Sequence, residues 1–215
     1  MKKLLILAVL MVTAFILANI CWADQGLTEA TIKTQTVGKT KSTQQKSLEA
    51  IEVLTGFSWA NPELKNNEDN YNLYPVFVAF DFNLKPLTKK WFNFNPRSLL
   101  QFQIEPFIGV ISSPNTNFEM GNSFFLKVGI LPQTSRFQPY IKAGVGMDYM
   151  TLHTDEQATQ FNFISTGVVG MHYFFKDNVA LTLEGSYRHL SNAGIDHPNH
   201  GINSITADAG ILYQF

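Results

Sequence analysis

The chain contains one cysteine in 215 residues and few charged side chains, 15% of the total. A soluble domain carries about 25%. The net charge is -1, which gives no electrostatic reason for a nucleic-acid partner. Cys21 closes an apolar run that begins after Lys2 and Lys3, and Cys21-Trp22-Ala23 supplies small residues where an export signal is cut. Cleavage after Ala23 leaves a mature chain with no disulfide, no thiol nucleophile and no thiolate metal site. A retained membrane helix is the alternative for this run, which is nearly long enough to span. A lipoprotein cysteine is disfavoured, because the residue before Cys21 is the bulky Ile20. No long helical periodicity follows. Aromatics are abundant instead: 18 residues are phenylalanine, which suits a surface bathed in hydrocarbon or a large core.

Three segments follow from these patterns. Residues 1–23 read as a signal peptide and residues 24–48, rich in Thr, Lys and Gln, as a flexible polar leader. Residues 49–215 hold eight strand-like runs, near 50–60, 72–84, 99–112, 123–131, 137–150, 160–175, 179–191 and 202–215. Side chains alternate faces along a strand. In the second run Tyr74, Val76, Val78, Phe80 and Phe82 oppose Asp81. In the third Leu100, Phe102, Ile104, Ile108 and Val110 oppose Gln101, Gln103 and Glu105. In the fifth Ile141, Ala143, Val145, Met147 and Tyr149 oppose Lys142 and Asp148, and in the last Ile205 to Phe215 oppose Thr206, Asp208 and Gln214. The sixth is ambiguous, because Phe163, Ile164, Val168 and Val169 blur the alternation.

A soluble sandwich hides such an apolar face, whereas a membrane barrel turns it outward. The aromatic content of these faces, the even strand count and the terminal Phe215, with Tyr213 and Ile211 at alternate positions, favour the barrel. The predicted fold is therefore all-β, an eight-stranded antiparallel transmembrane β-barrel behind a signal peptide. Glu105, Lys127, Lys142, Asp148, Glu184, Arg188 and Asp208 then fill a lumen narrow enough for side chains to plug. With the leader in the periplasm, the short connections 132–136 and 176–178 are periplasmic. The long 85–98 connection lies on the same side, with Trp91 and Phe92 in the interfacial aromatic girdle.

That orientation brings the end of the seventh strand to the outer leaflet. His189 and Ser191 share the apolar face of Val179, Leu181, Leu183, Gly185 and Tyr187. Serine becomes a nucleophile when a base takes its proton, and histidine suits that role near neutral pH. Spacing alone favours the plainer reading, an interfacial histidine and a serine that merely ends a strand. The run His189-Leu190-Ser191-Asn192-Ala193-Gly194, followed by Pro198-Asn199 and Gly201-Ile202, resembles the active-site segment of the PagL family of lipid A 3-O-deacylases. The run from Pro139 to Gly146 also looks like a strand of that family. The resemblance covers roughly residues 50–215 and is specific only in the last quarter.

The resemblance implies an outer-membrane serine esterase that removes an ester-linked acyl chain from the lipid A of lipopolysaccharide. His189 matches the general base, Ser191 the nucleophile and Asn192 the oxyanion residue. The third triad position, a glutamate in the family's best-known example, aligns with Asn203 here. An amide can accept the imidazole N–H and fix its tautomer but cannot stabilise imidazolium by charge. Asp196 is the alternative carboxylate, while the parity of Glu184 points it into the lumen. This scheme needs no cofactor, and its partners are lipopolysaccharide and outer-membrane lipid, with no nucleic acid. Both a monomer and a homodimer remain open. Asp196, His197 and His200 are metal-ligand types, but no third spaced ligand accompanies the histidines, so no metal is expected. The alternatives are a catalytically silent structural or adhesive barrel and an esterase acting on phospholipid.

Overall fold

The computed structural model describes residues 47–60, 70–154 and 156–215. The signal peptide and the leader up to residue 46 lie outside the described residues. Eight strands follow in chain order: β1 (Leu48–Ala60), β2 (Tyr71–Asn83), β3 (Ser98–Ser113), β4 (Asn117–Pro132), β5 (Phe137–Met150), β6 (Phe161–Lys176), β7 (Val179–Ser191) and β8 (Ile202–Gln214). Each pairs antiparallel with its sequence neighbours, and β1 pairs with β8 to close the barrel. The strands run from 13 to 16 residues. A tilted strand needs about 9–11 to cross the hydrocarbon, so each has residues to spare at its ends.

The alternation is inside out for a water-soluble protein. Tyr74, Val76, Ile108, Val110, Ile141 and Val145 are exposed, whereas Gln101, Gln103, Glu105, Lys127 and Lys142 are buried. Val169 at 66% exposure and Ile130 at 65% would be costly neighbours of water. Only a hydrocarbon solvent makes this arrangement stable, and closure leaves no strand edge unpaired in it.

The lumen is filled in layers. An apolar cluster that includes Ala60, Tyr71, Ile111, Met150, Leu190 and Ile202 occupies the strand ends on the loop side of β7 and β8. Below it Lys127 Nζ lies 2.9 Å from Glu52 Oε2 and 3.1 Å from Asp81 Oδ1. Lys142 Nζ lies 2.7 Å from Glu105 Oε2 and 2.9 Å from Glu184 Oε1. Gln103 Nε2 donates to both Glu52 and Asp81, Thr182 Oγ1 donates to Glu52 and Tyr140 donates to Glu184. Buried charge is tolerated when paired and hydrogen-bonded in this way. A second apolar cluster of Ala50, Phe174, Ala180 and Leu212 fills the opposite end. A cavity lined by Ser186, Arg188, Thr206 and Asp208 has about 30 Å³, room for about one water.

Three details differ from the sequence expectation or sharpen it. β4 begins at Asn117 rather than Ser123, because Gly121 and Asn122 interrupt the apolar alternation without ending the ladder. β6 blurs because Ile164 and Val168 point inward while Val169 points outward. The long connection after β2 contains a helix, α1 (Lys85–Phe92), with Pro86 in its first turn, Lys89 and Lys90 in its last, and Asn93 closing it at φ 51°. Trp91 and Phe92 stay exposed at its end.

Candidate active site

The C-terminal end of β7 is anchored from within the barrel. Arg188 is hydrogen-bonded to Glu119 of β4, and Leu190 belongs to the apolar cluster at the ends of β7 and β8. With Arg188 and Leu190 directed inward, the side chains between and after them, His189 and Ser191, face the exterior, both half-buried. Tyr187 precedes them on the same face and is exposed.

His189 stands directly opposite Asn203 of β8 in the strand register. Its Nδ1–H donates to Asn203 Oδ1 at 2.8 Å. A carboxamide oxygen only accepts, so this contact puts the ring hydrogen on Nδ1 and the lone pair on Nε2. Gly201 closes the other side of the ring. It sits at φ 83°, and a Cβ there would lie 2.5 Å from His189 Cε1 and 3.3 Å from Nε2. Glycine alone fits both that backbone region and that approach.

Asn192 follows Ser191 and has inward parity. Its carboxamide nitrogen donates to Asp196 O at 3.0 Å and Pro198 O at 3.4 Å, and its oxygen accepts Gly194 N–H at 2.8 Å. The oxyanion role implied for Asn192 therefore meets a different geometry: its carboxamide is buried and spent on closing its own loop. Asn199 contrasts with it. It is half-buried, and its Oδ1 accepts the Asn192 N–H at 2.9 Å, which orients the carboxamide beside the Ser191–Asn192 peptide. Asp196 does not reach the histidine; it is exposed and accepts the His197 N–H at 2.8 Å.

Sequence reasoning missed Gln157 and Asn199. Gln157, on the β5–β6 connection, also accepts the Asn192 N–H, at 3.1 Å, and its backbone forms an isolated antiparallel bridge with Asn199. Neither residue carries a periodic signal, because both act from loops. The Pro198-Asn199 pair was the only local mark.

A trough of about 660 Å³ opens in the outer wall beside this group. Gly167, Gly185 and Ala143 form its floor, and Tyr187, Val169 and Ile141 its sides. Gly167 stands opposite Tyr187 and Ala143 opposite Gly167, while Gly185 lies opposite Val169 in a neighbouring row. A Cβ at Gly167 or Gly185 would meet nothing within 4 Å.

A family model described as Lipid A 3-O-deacylase (PagL) matches residues 29–211. Among solved structures, the chain is similar to the outer membrane enzyme PagL, with a TM-score of 0.55 and 14% identity over 75% of this chain and 97% of that one. It is nearly as similar to Neisserial surface protein A, with a TM-score of 0.54 and 13% identity over 77% of this chain and 96% of that one. At such identities these two likenesses establish the barrel fold and nothing finer. No curated protein sequence matches the chain.

Proposed function

The chain belongs to the PagL family of lipid A 3-O-deacylases, and from that membership we propose that it is an outer-membrane esterase that uses Ser191 to cut an acyl chain from lipid A. The observation that carries the site assignment is the 2.8 Å contact between His189 Nδ1 and Asn203 Oδ1 on the lipid-facing wall. It leaves Nε2 as a free base on the face that Ser191 shares.

The reaction runs in two halves. His189 Nε2 takes the Ser191 hydroxyl proton as Oγ attacks the ester carbonyl. The tetrahedral intermediate then collapses, and His189 gives the proton to the departing sugar oxygen. Water, deprotonated by the same imidazole, attacks the acyl-serine; as the fatty acid leaves, the imidazolium returns the proton to Ser191 Oγ. Asn203 holds the tautomer throughout, though without the charge a glutamate would bring. Hydrogen-bond donors aimed at the developing oxyanion supply a large share of such catalysis. Asn199 suits this better than Asn192, since its oxygen is engaged and its NH₂ group is left to donate.

The trough is the acyl site in this reading. Its floor of small residues starts at the level of Tyr187, two residues from His189, and its lining is apolar. A chain seated there stays in a hydrocarbon environment while its ester end reaches Ser191. Purified protein incubated with lipid A and, separately, with phospholipid tests the proposal. Fatty acid released from lipid A alone is the expected result. Release from phospholipid alone would assign a different substrate, and release from neither by a folded barrel would remove the enzymatic reading.

A further inference from the structure

We infer that Gln157 is a positioning residue for the nucleophile, holding the Ser191–Asn192 peptide from the β5–β6 connection; this rests on the reading of Ser191 as the nucleophile. Gln157 sits among Thr154, Glu156 and Thr159 in a polar outer loop, where a glutamine is ordinarily solvated. Here it is only 4% exposed. Its Oε1 accepts the N–H of Asn192 at 3.1 Å, an N–H shared with Asn199 Oδ1 at 2.9 Å.

The need for this contact follows from where β7 stops. Ser191 is its last residue, so the next peptide leaves the ladder and its N–H loses a strand partner. An N–H held by one acceptor alone leaves the nucleophile's peptide more room to swing. Gln157, with Asn199, extends order by one peptide beyond the strand. It is itself well held: its N–H donates to Thr154 Oγ1 at 3.1 Å. On either side of its bridge to Asn199, His200 N–H donates to Glu156 O at 2.9 Å and Ala158 N–H donates to Pro198 O at 3.0 Å. The two loops thus form a short ladder over the end of β7.

The Gln157 amide also carries a cost. Its Nε2 is buried with no hydrogen-bond partner among the described residues, and an apolar residue would fill the space without that donor. What an apolar residue lacks is the Oε1 acceptor, which is the group the nucleophile's peptide uses. Displacing a reacting group by about 1 Å can cost roughly 100-fold in rate, so a contact this close to Ser191 acts on turnover more than on binding.

The test uses the full chain folded in outer-membrane vesicles, with Gln157→Leu, Gln157→Glu and Ser191→Ala. Three quantities are read: kcat and KM for lipid A deacylation, the rate of Ser191 modification by a long-chain fluorophosphonate, and thermal unfolding. Gln157→Leu is expected to lower kcat and the modification rate together by roughly 10- to 100-fold. KM should stay within about two-fold and the unfolding temperature should not move, since the loss is one of orientation. Gln157→Glu keeps an acceptor for the Asn192 N–H and should recover most of both rates. Normal rates in Gln157→Leu, a loss that tracks unfolding, or a glutamate variant as impaired as leucine would each overturn the inference. An active Ser191→Ala would instead remove the nucleophile assignment beneath it, a result separable from an inactive Ser191→Ala beside an unimpaired Gln157→Leu.

Discussion

His189 and Asn203 face each other across β7 and β8, and the imidazole Nδ1–H donates to the Asn203 carboxamide oxygen at 2.8 Å. The pair joins two strands on the exterior of the barrel, at the end where Ser191 leaves the sheet. One neutral amide thereby decides which ring nitrogen is free to act as a base.

Asn203→Leu removes that decision. Loss of a substantial part of the 10²- to 10⁴-fold that general acid–base catalysis contributes is expected. Asn203→Glu keeps the acceptor and adds a charge for the imidazolium, so its activity should equal or exceed that of the natural chain. Deacylation kinetics on the two variants check this; a glutamate variant slower than the natural chain would argue against the orienting role.

Filling the trough separates substrate holding from chemistry. Gly185→Leu and Gly167→Leu add side chains where a Cβ meets nothing within 4 Å, so the barrel should keep its unfolding temperature. KM for lipid A should rise several-fold, while hydrolysis of a short-chain ester stays close to that of the natural chain. Equal KM values for lipid A would mean that the acyl chain lies elsewhere.

Lys127 tests the lumen. It is fully buried between Glu52 and Asp81, and Lys127→Met leaves two carboxylates facing each other without their cation. Breaking a buried ion pair by removing one partner costs roughly 3–5 kcal/mol. Urea unfolding in detergent should register a loss of that order. An unchanged midpoint would mean that Gln103 and water satisfy the carboxylates unaided.

Much of the fold was legible because a strand's period of two is blind to which solvent lies outside. Gln101, Gln103 and Glu105 alternate with Phe102 and Ile104 in the sequence, and the same residues line the lumen and the wall. Glu119, the partner of Arg188, was missed together with the first part of β4, since Gly121 and Asn122 look like a turn until cross-strand pairing carries the ladder through them. The helix Lys85–Phe92 was overlooked although Pro86 and Asn93 punctuate it, because eight residues are too few for periodicity to declare a helix. At the site, the common face of His189 and Ser191 follows from parity alone. The inward turn of Asn192 follows from the same parity, yet its consequence, a carboxamide tied to Asp196 and Pro198, depends on a loop path that no pattern encodes. The hold of Gln157 on Asn192 spans 35 residues of sequence and is likewise invisible without coordinates.

Apolar clusters fill both ends of the lumen, with buried ion pairs between them, an arrangement that predicts no continuous water path. Reconstituted in planar bilayers, the barrel should show no stepwise ion conductance. Discrete conductance steps would contradict a plugged interior.

The most direct test of the esterase account is mass spectrometry of lipid A from cells producing either the natural chain or Ser191→Ala at equal levels in the outer membrane. The account predicts lipid A lighter by one ester-linked acyl group with the natural chain and unaltered lipid A with the variant. The same loss with both, or with neither, would contradict it.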